Sequence, residues 1–259
     1  MTQYAQTNLQ LFRQLGDLGM NEADLAMIGR GYTLAMRLFA GSYRPSGKAM
    51  VNHLVGTASI LAGAGASIEI VAAGLLHAVY SEADFGPLRG GLAAKRQLVR
   101  SSIGDAAEAL IDRYSKLQWG DASLDRLRNT FDSLDNPTRA VLLIRLANEL
   151  EDYLDLGVIY CTDCDRRQRF ISRTGPVMLE LAERLGQMPL ATAMRTAFAE
   201  CTDATPAAGL ANLTCKESSF VLAPLSWRKP LTVDLRERCH GLVKRMRAVR
   251  RRIVAQAKV

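Results

Sequence analysis

Histidine is scarce in this chain, with three in 259 residues, so any chemistry built on imidazole has few places to sit. Aromatic residues are also few, at 6%. Apolar runs are short: the stretch Ile68 to Val79 is interrupted by Glu69 and His77, and none reaches the roughly 20 residues of a membrane-spanning helix. The first nineteen residues carry Gln, Asn, Arg and Asp where a secretory leader needs an apolar segment, which points to a cytoplasmic protein. The five cysteines are an odd number spread from Cys161 to Cys239, too sparse for the disulfide framework of a small secreted scaffold. Cys161 and Cys164 form a C-x-x-C, but no second pair follows at zinc-finger spacing, so both are expected as half-buried helix cysteines. Internal repeats and low-complexity blocks are missing as well.

What is present is helical. Hydrophobic residues make up 48% of the chain and charged residues 23%, enough to build a core and incompatible with global disorder. β-Branched alternation between turn residues is almost missing, whereas three- and four-residue apolar spacing recurs throughout, which predicts an all-α fold. Asn21 reads as the cap of a helix beginning Glu22-Ala23-Asp24, with its acids facing the positive end of the helix dipole. Gly41 to Gly47 holds too many helix breakers and is expected to be an ordered loop. A helix carrying His53 follows, then a second, capped by Ser67, from Ile68 to Tyr80. Helical pattern also covers Lys95 to Ser102 and Asp105 to Tyr114. Asn136-Pro137 opens a long apolar helix running to Leu156, because Pro at a first turn gives up an N–H that would lack a partner anyway. Helices from Arg166 to Leu185 and from Ala191 to Cys201 complete a body of about residues 1–200, with 201–259 as an irregular cover segment and a C-terminal basic helix.

The net charge is +7, and the tail alone carries that excess: from Lys244 onward there are seven basic residues and no acidic one. Such a helix can meet nucleic acid, an anionic surface or an acidic partner. Its apolar residues Leu242, Val243, Met246, Val249, Ile253 and Val254 recur at helical steps. That pattern equally fits a helix docked by one face, on its own body or on a second copy of the chain, with its cations in water.

Two of the histidines fall in adjacent helices, and the words around them are specific. Arg44-Pro45-Ser46-Gly47-Lys48 precedes His53 by nine residues counted from Arg44, and Leu75-Leu76-His77-Ala78-Val79-Tyr80-Ser81-Glu82 surrounds the second histidine. Downstream lie Ile103-Gly104-Asp105 through Leu117, then Val141 through Asp152, then Leu181-Ala182-Glu183-Arg184-Leu185-Gly186. In this order the five words resemble the hydrolase domain of RelA/SpoT homologues, in the HD superfamily, whose corresponding words include R-x-S-G-E-P-Y-I-x-H, L-L-H-D-V-V-E-D-T and V-I-L-I-K-L-A-D-R-L-H-N. The resemblance implies an all-α HD-domain bundle. It also implies a divalent-metal site, usually manganese, whose reaction removes pyrophosphate from the 3′ position of guanosine tetra- or pentaphosphate.

Carried over position by position, the metal ligands are His53, His77, Ala78 and Asn148, so two carboxylates are replaced. The acidic pair that handles the attacking water becomes Ser81 and Glu82, the catalytic candidates here. Arg44, Ser46, Lys116 and Asp152 stand where remnants of a nucleotide pocket are expected. Two imidazoles and an amide leave a divalent ion with its full charge, and alanine offers no donor, so affinity should fall sharply. A metal that does not stay bound cannot lower the pKa of its water. Glu82, Asp84 and Asp152 are the carboxylates that could substitute. The expectation is therefore no cofactor, or a weakly held manganese, iron or zinc, in a pocket that keeps a phosphorylated small molecule or nucleotide. A remodelled, working phosphohydrolase and a nucleic-acid or protein-binding module acting through the basic tail are the alternatives.

Overall fold

The computed structural model describes residues 4–86, 91–210 and 218–222. The chain divides after Val221 into two units, and the helices and strands of the described residues all belong to the first. The basic helix expected from Lys244 lies outside the described residues. Among the described residues the fold is helical, with one two-stranded sheet, as the spacing of apolar residues predicts. None of these helices is long and apolar enough to cross a membrane.

Helix α1 (Asn8–Asp17) opens on a capping box in which the Thr7 hydroxyl accepts from Gln10 N and the Gln10 side chain accepts from Thr7 N. Helix α2 (Glu22–Leu38) is capped by Asn21, whose Oδ1 accepts from Asp24 N at 3.0 Å. The expected loop follows, and it contains a short strand, β1 (Ser42–Tyr43). Helix α3 (Met50–Gly63) comes next and is buried on nearly every side, because it packs against both α4 (Ile68–Leu75) and α8 (Asn136–Tyr153). Between these last two lie α5 (Val79–Glu82), α6 (Gly91–Lys116) and α7 (Asp121–Asn129). Helices α9 (Cys164–Arg184) and α10 (Met188–Asp203) pack on each other and close the body on the α8 side.

Two local expectations need correction. The segment expected as one helix from Ile68 to Tyr80 is broken by a turn at Leu76–Ala78. The physical reason is His77 itself: its Nδ1–H donates to the Gly74 carbonyl at 2.7 Å, taking the acceptor that the next helical N–H would use. The helix expected to reach Leu156 stops at Tyr153, because Asp155 and Leu156 both adopt left-handed backbone, with φ of 53° and 58°. The segment Asp121–Asn129, to which the sequence pattern assigns no element, is helix α7. By contrast, the two helical stretches expected on either side of Gly104 are found: α6 is interrupted there by a backbone conformation (φ 87°, ψ 166°) that glycine alone adopts easily.

Candidate functional site

The loop after β1 is a tight turn. Arg44 N donates to Lys48 O at 2.7 Å and Gly47 N to Arg44 O at 2.9 Å, with Gly47 at φ 85°. The turn sets Arg44 and Lys48 side by side, facing α8. Strand β2 (Phe220–Val221) pairs antiparallel with β1, and Phe220 stacks on Tyr43 with ring centroids 5.6 Å apart. Helix α8 presents Asn148, Glu151 and Asp152 at three- and four-residue steps, hence on one face. Helix α3 places His53 opposite them.

These groups form a closed set of ion pairs. Arg44 grips Asp152 through Nε (3.1 Å) and Nη2 (2.6 and 2.5 Å), and its Nη1 lies 3.5 Å from Glu82. Lys48 Nζ bonds Glu151 Oε1, and the other oxygen of Glu151 accepts from His53 Nδ1. His53 Nε2 meets the Asn148 side-chain oxygen at 3.0 Å. Both ring nitrogens of His53 thus already have side-chain hydrogen-bond partners. The space Glu151 occupies depends on Gly56: a Cβ there would lie 2.5 Å from Glu151 Oε1 and 2.7 Å from its Cγ. Burial alone would raise the Asp152 carboxyl, but the Arg44 guanidinium beside it holds it below the usual carboxylate range. Arg44 is in turn held above its ordinary value despite burial, chiefly by Asp152 and Glu82.

Above this set opens a cavity of about 550 Å³. His77 lines it, with its ring 5.3 Å from that of His53 and 5.2 Å from that of Tyr114. Burial, then the neighbouring His53, pushes His77 down to about 3, so the ring is neutral. Its Nδ1–H is committed to Gly74, which leaves the lone pair on Nε2. Ala78, Ser81, Glu82, Asn148 and Asp152 also line the cavity. Ser81 turns its hydroxyl to Ala78 O at 3.1 Å.

Two expected pocket residues lie elsewhere. Lys116 is exposed at the end of α6, pairs with Asp112 one turn back at 2.6 Å, and borders a different depression. Ser46 sits in the 44–48 turn and is not among the residues lining the cavity. Asp84, a candidate substitute ligand, instead accepts from Gly86 N at 2.7 Å.

Sequence reasoning missed Glu151 and Lys48 in the ion-pair set and, in the cavity wall, Tyr114, Trp119, Arg145, Glu149 and the arginines of α9. The three- and four-residue spacing of Asn148, Glu151 and Asp152 was the available signal for the first. Glu149 is buried and pairs with Arg145 Nη2 at 2.5 Å; burial raises its carboxyl although Arg145 opposes the shift. Arg145 Nη1 donates to Tyr114 Oη at 3.0 Å, and its guanidinium lies 4.9 Å over the Trp119 ring. Helix α9 adds Arg166, Arg167, Arg169 and Arg173 to the rim, so six arginines face three carboxylates in the cavity lining. Arg166 and Arg167 pair with Asp163, and Arg173 with Asp121, whereas Arg169 has no ion-pair partner among the described residues. An excess of guanidinium around a concave site is suited to anions, phosphates above all.

His53, Glu151 and Asp152 bring potential ligand atoms within 4.8 Å of one another, the set among the described residues that could hold a metal ion. A divalent ion placed there would have to displace Lys48 from Glu151 and Arg44 from Asp152, and would find both His53 nitrogens in use. The donor set therefore fits a resident divalent metal poorly.

Comparison with known proteins finds distant similarity to proteins named as enzymes of guanosine phosphates. The chain is 26% identical over 174 residues to the GTP pyrophosphokinase of Streptomyces coelicolor, a match covering 66% of this chain and 19% of that protein. It is 24% identical over 194 residues to a probable guanosine-3′,5′-bis(diphosphate) 3′-pyrophosphohydrolase of Synechocystis, covering 72% and 24%. A guanosine-3′,5′-bis(diphosphate) 3′-pyrophosphohydrolase of Haemophilus influenzae matches at 27% over 152 residues, covering 56% and 20%. The chain thus spans about a fifth to a quarter of the length of these relatives. A family model described as a domain of unknown function, DUF6817, matches residues 35–118.

Proposed function

We propose that this chain is a degenerate HD-type domain that binds a phosphorylated nucleotide of the guanosine polyphosphate class and does not carry out metal-dependent hydrolysis. The observation that carries the reading is the pairing of Arg44 with Asp152 and of Lys48 with Glu151: two cations of the chain itself neutralise the carboxylates on which a divalent ion would depend. With Ala78 and Asn148 in place of carboxylates, the remaining donors cannot compensate. The arginines of the cavity still suit phosphate groups, and the Streptomyces and Synechocystis relatives act, by their names, on guanosine phosphates. In this reading Arg44, with Asp152 positioning it, contacts ligand phosphate, and Glu82 and Ser81 line the pocket without activating water.

The competing reading, a hydrolase with a remodelled site, is favoured by the closeness of His53, Glu151 and Asp152. Elemental analysis of protein purified without chelator separates the two. The proposal expects well under one equivalent of manganese, iron and zinc combined in the wild type, and a marked gain in manganese in the double variant Ala78→Asp, Asn148→Asp. About one equivalent in the wild type would favour the remodelled hydrolase.

A further inference from the structure

Two N–H donors in the cavity wall have no acceptor among the described residues: Trp119 Nε1 and Arg145 Nε. Both atoms are shielded from solvent, and both groups can only donate. Buried donors without partners are rare in folded proteins and mark places where an unseen acceptor is needed. The nearby acceptors are already engaged: Glu149 takes Arg145 Nη2 and Tyr114 takes Nη1. The two orphan donors belong to one wall, since the Arg145 guanidinium lies over the Trp119 ring, and both residues line the cavity.

We infer that Trp119 and Arg145 form a subsite that receives an oxygen acceptor of the bound ligand, a phosphoryl or a base carbonyl oxygen, through these two N–H groups. The inference rests on the reading of the cavity as a nucleotide pocket and adds to it the specific group recognised there. A ligand oxygen that reaches this wall satisfies donors that are unpaired among the described residues. Binding at this corner is consequently stronger than contact area alone gives, because it removes a standing desolvation penalty. A carbonyl oxygen at this point would also discriminate bases, since an exocyclic amino group offers hydrogens where the subsite requires an acceptor.

The test uses the full chain and the substitution Trp119→Phe, which keeps an aromatic ring for Arg145 and removes only the N–H and the second ring. Calorimetric affinity for guanosine-3′,5′-bis(diphosphate) should fall about ten-fold. The unfolding midpoint of ligand-free protein should stay unchanged or rise, since an unpaired donor has been removed. A residue that merely supported the wall would show the opposite, with a lowered midpoint. Trp227→Phe leaves Trp119 as the sole tryptophan, and its emission should shift on titration. Inorganic pyrophosphate and the adenosine counterpart identify the acceptor. Weakened pyrophosphate binding in Trp119→Phe assigns it to phosphate, and loss confined to the guanosine nucleotide assigns it to the base carbonyl. Equal nucleotide affinity in wild type and Trp119→Phe overturns the subsite while leaving the nucleotide reading intact. If pyrophosphate binds through Trp119 and no nucleotide binds, the nucleotide reading falls and the subsite stands; if no probe binds, both fall.

Discussion

Replacing Arg44 by methionine should destabilise the protein by about 3–5 kcal/mol, among the largest effects of any single substitution at the site. The Asp152 carboxylate, 17% exposed, would lose three hydrogen bonds and its principal counter-charge, and Glu82 would lose a cation 3.5 Å away. Removing both partners, as in Arg44→Met with Asp152→Leu, should recover much of the loss, since an apolar pair of similar volume carries no unpaired charge. The pH dependence has a definite sign. In the wild type the folded Asp152 carboxyl is held below its unfolded value, so its contribution is complete above about pH 4 and is lost as the pH falls below that. In Arg44→Met burial is opposed only by the weaker influence of His53 and Arg145, so that carboxyl rises and the deficit relative to wild type should shrink on acidification. Denaturant unfolding of the two variants at pH 7 and pH 4 reads both effects. A loss below about 1 kcal/mol at pH 7 would show that the pair is solvated and does not organise the site.

Glu108→Ala should cost about 3 kcal/mol through a different route. This carboxylate is 1% exposed and ties α5 to both halves of α6: it accepts from Tyr80 Oη at 2.8 Å, from Arg96 Nε at 2.7 Å and from Arg100 Nε at 2.9 Å. Tyr80 belongs to α5, the single turn that also carries Ser81 and Glu82, so Glu108 fixes the lip of the cavity from behind. Burial opposes ionisation of Glu108, but the bonds from Arg96, Tyr80 and Arg100 hold its carboxyl below the ordinary value. Its contribution is therefore present above the ordinary glutamate range and declines as the pH falls through and below it. The variant should show a flatter acid limb in its stability profile than the wild type, together with weaker nucleotide binding. An unchanged acid limb would mean that Glu108 does not hold the lip through its charge.

How much of this was legible in the chain depends on the kind of interaction. Local signals transferred well: Asn21 caps α2, Asn136-Pro137 opens α8, and Gly104 interrupts α6, because caps, first-turn prolines and glycine backbone are decided within a few residues. Of the motif residues, His53, His77, Ser81, Glu82, Asn148, Arg44 and Asp152 lie in or beside one cavity. Interactions set by the fold were harder to see. Lys48 acts at the site because a tight turn sets it beside Arg44, a geometry that sequence spacing does not give. Glu151 is one of several charged residues on α8, and its meaning emerges only opposite His53 and the side-chain-free surface of Gly56. Trp119 reaches the wall from the loop between α6 and α7, far in sequence from Arg145. Lys116 shows the converse: it follows the family word yet turns outward to Asp112, because an i, i+4 ion pair on an exposed helix end was available.

Calorimetric titration of chelator-treated protein with guanosine-3′,5′-bis(diphosphate), with the nucleotide analysed afterwards, tests the central claim most directly. If Arg44 and Lys48 have taken over the role of a bound cation, saturable binding near one equivalent persists in chelator and the nucleotide is recovered intact, before and after added manganese. Binding that vanishes in chelator, or release of pyrophosphate once manganese is supplied, would contradict it.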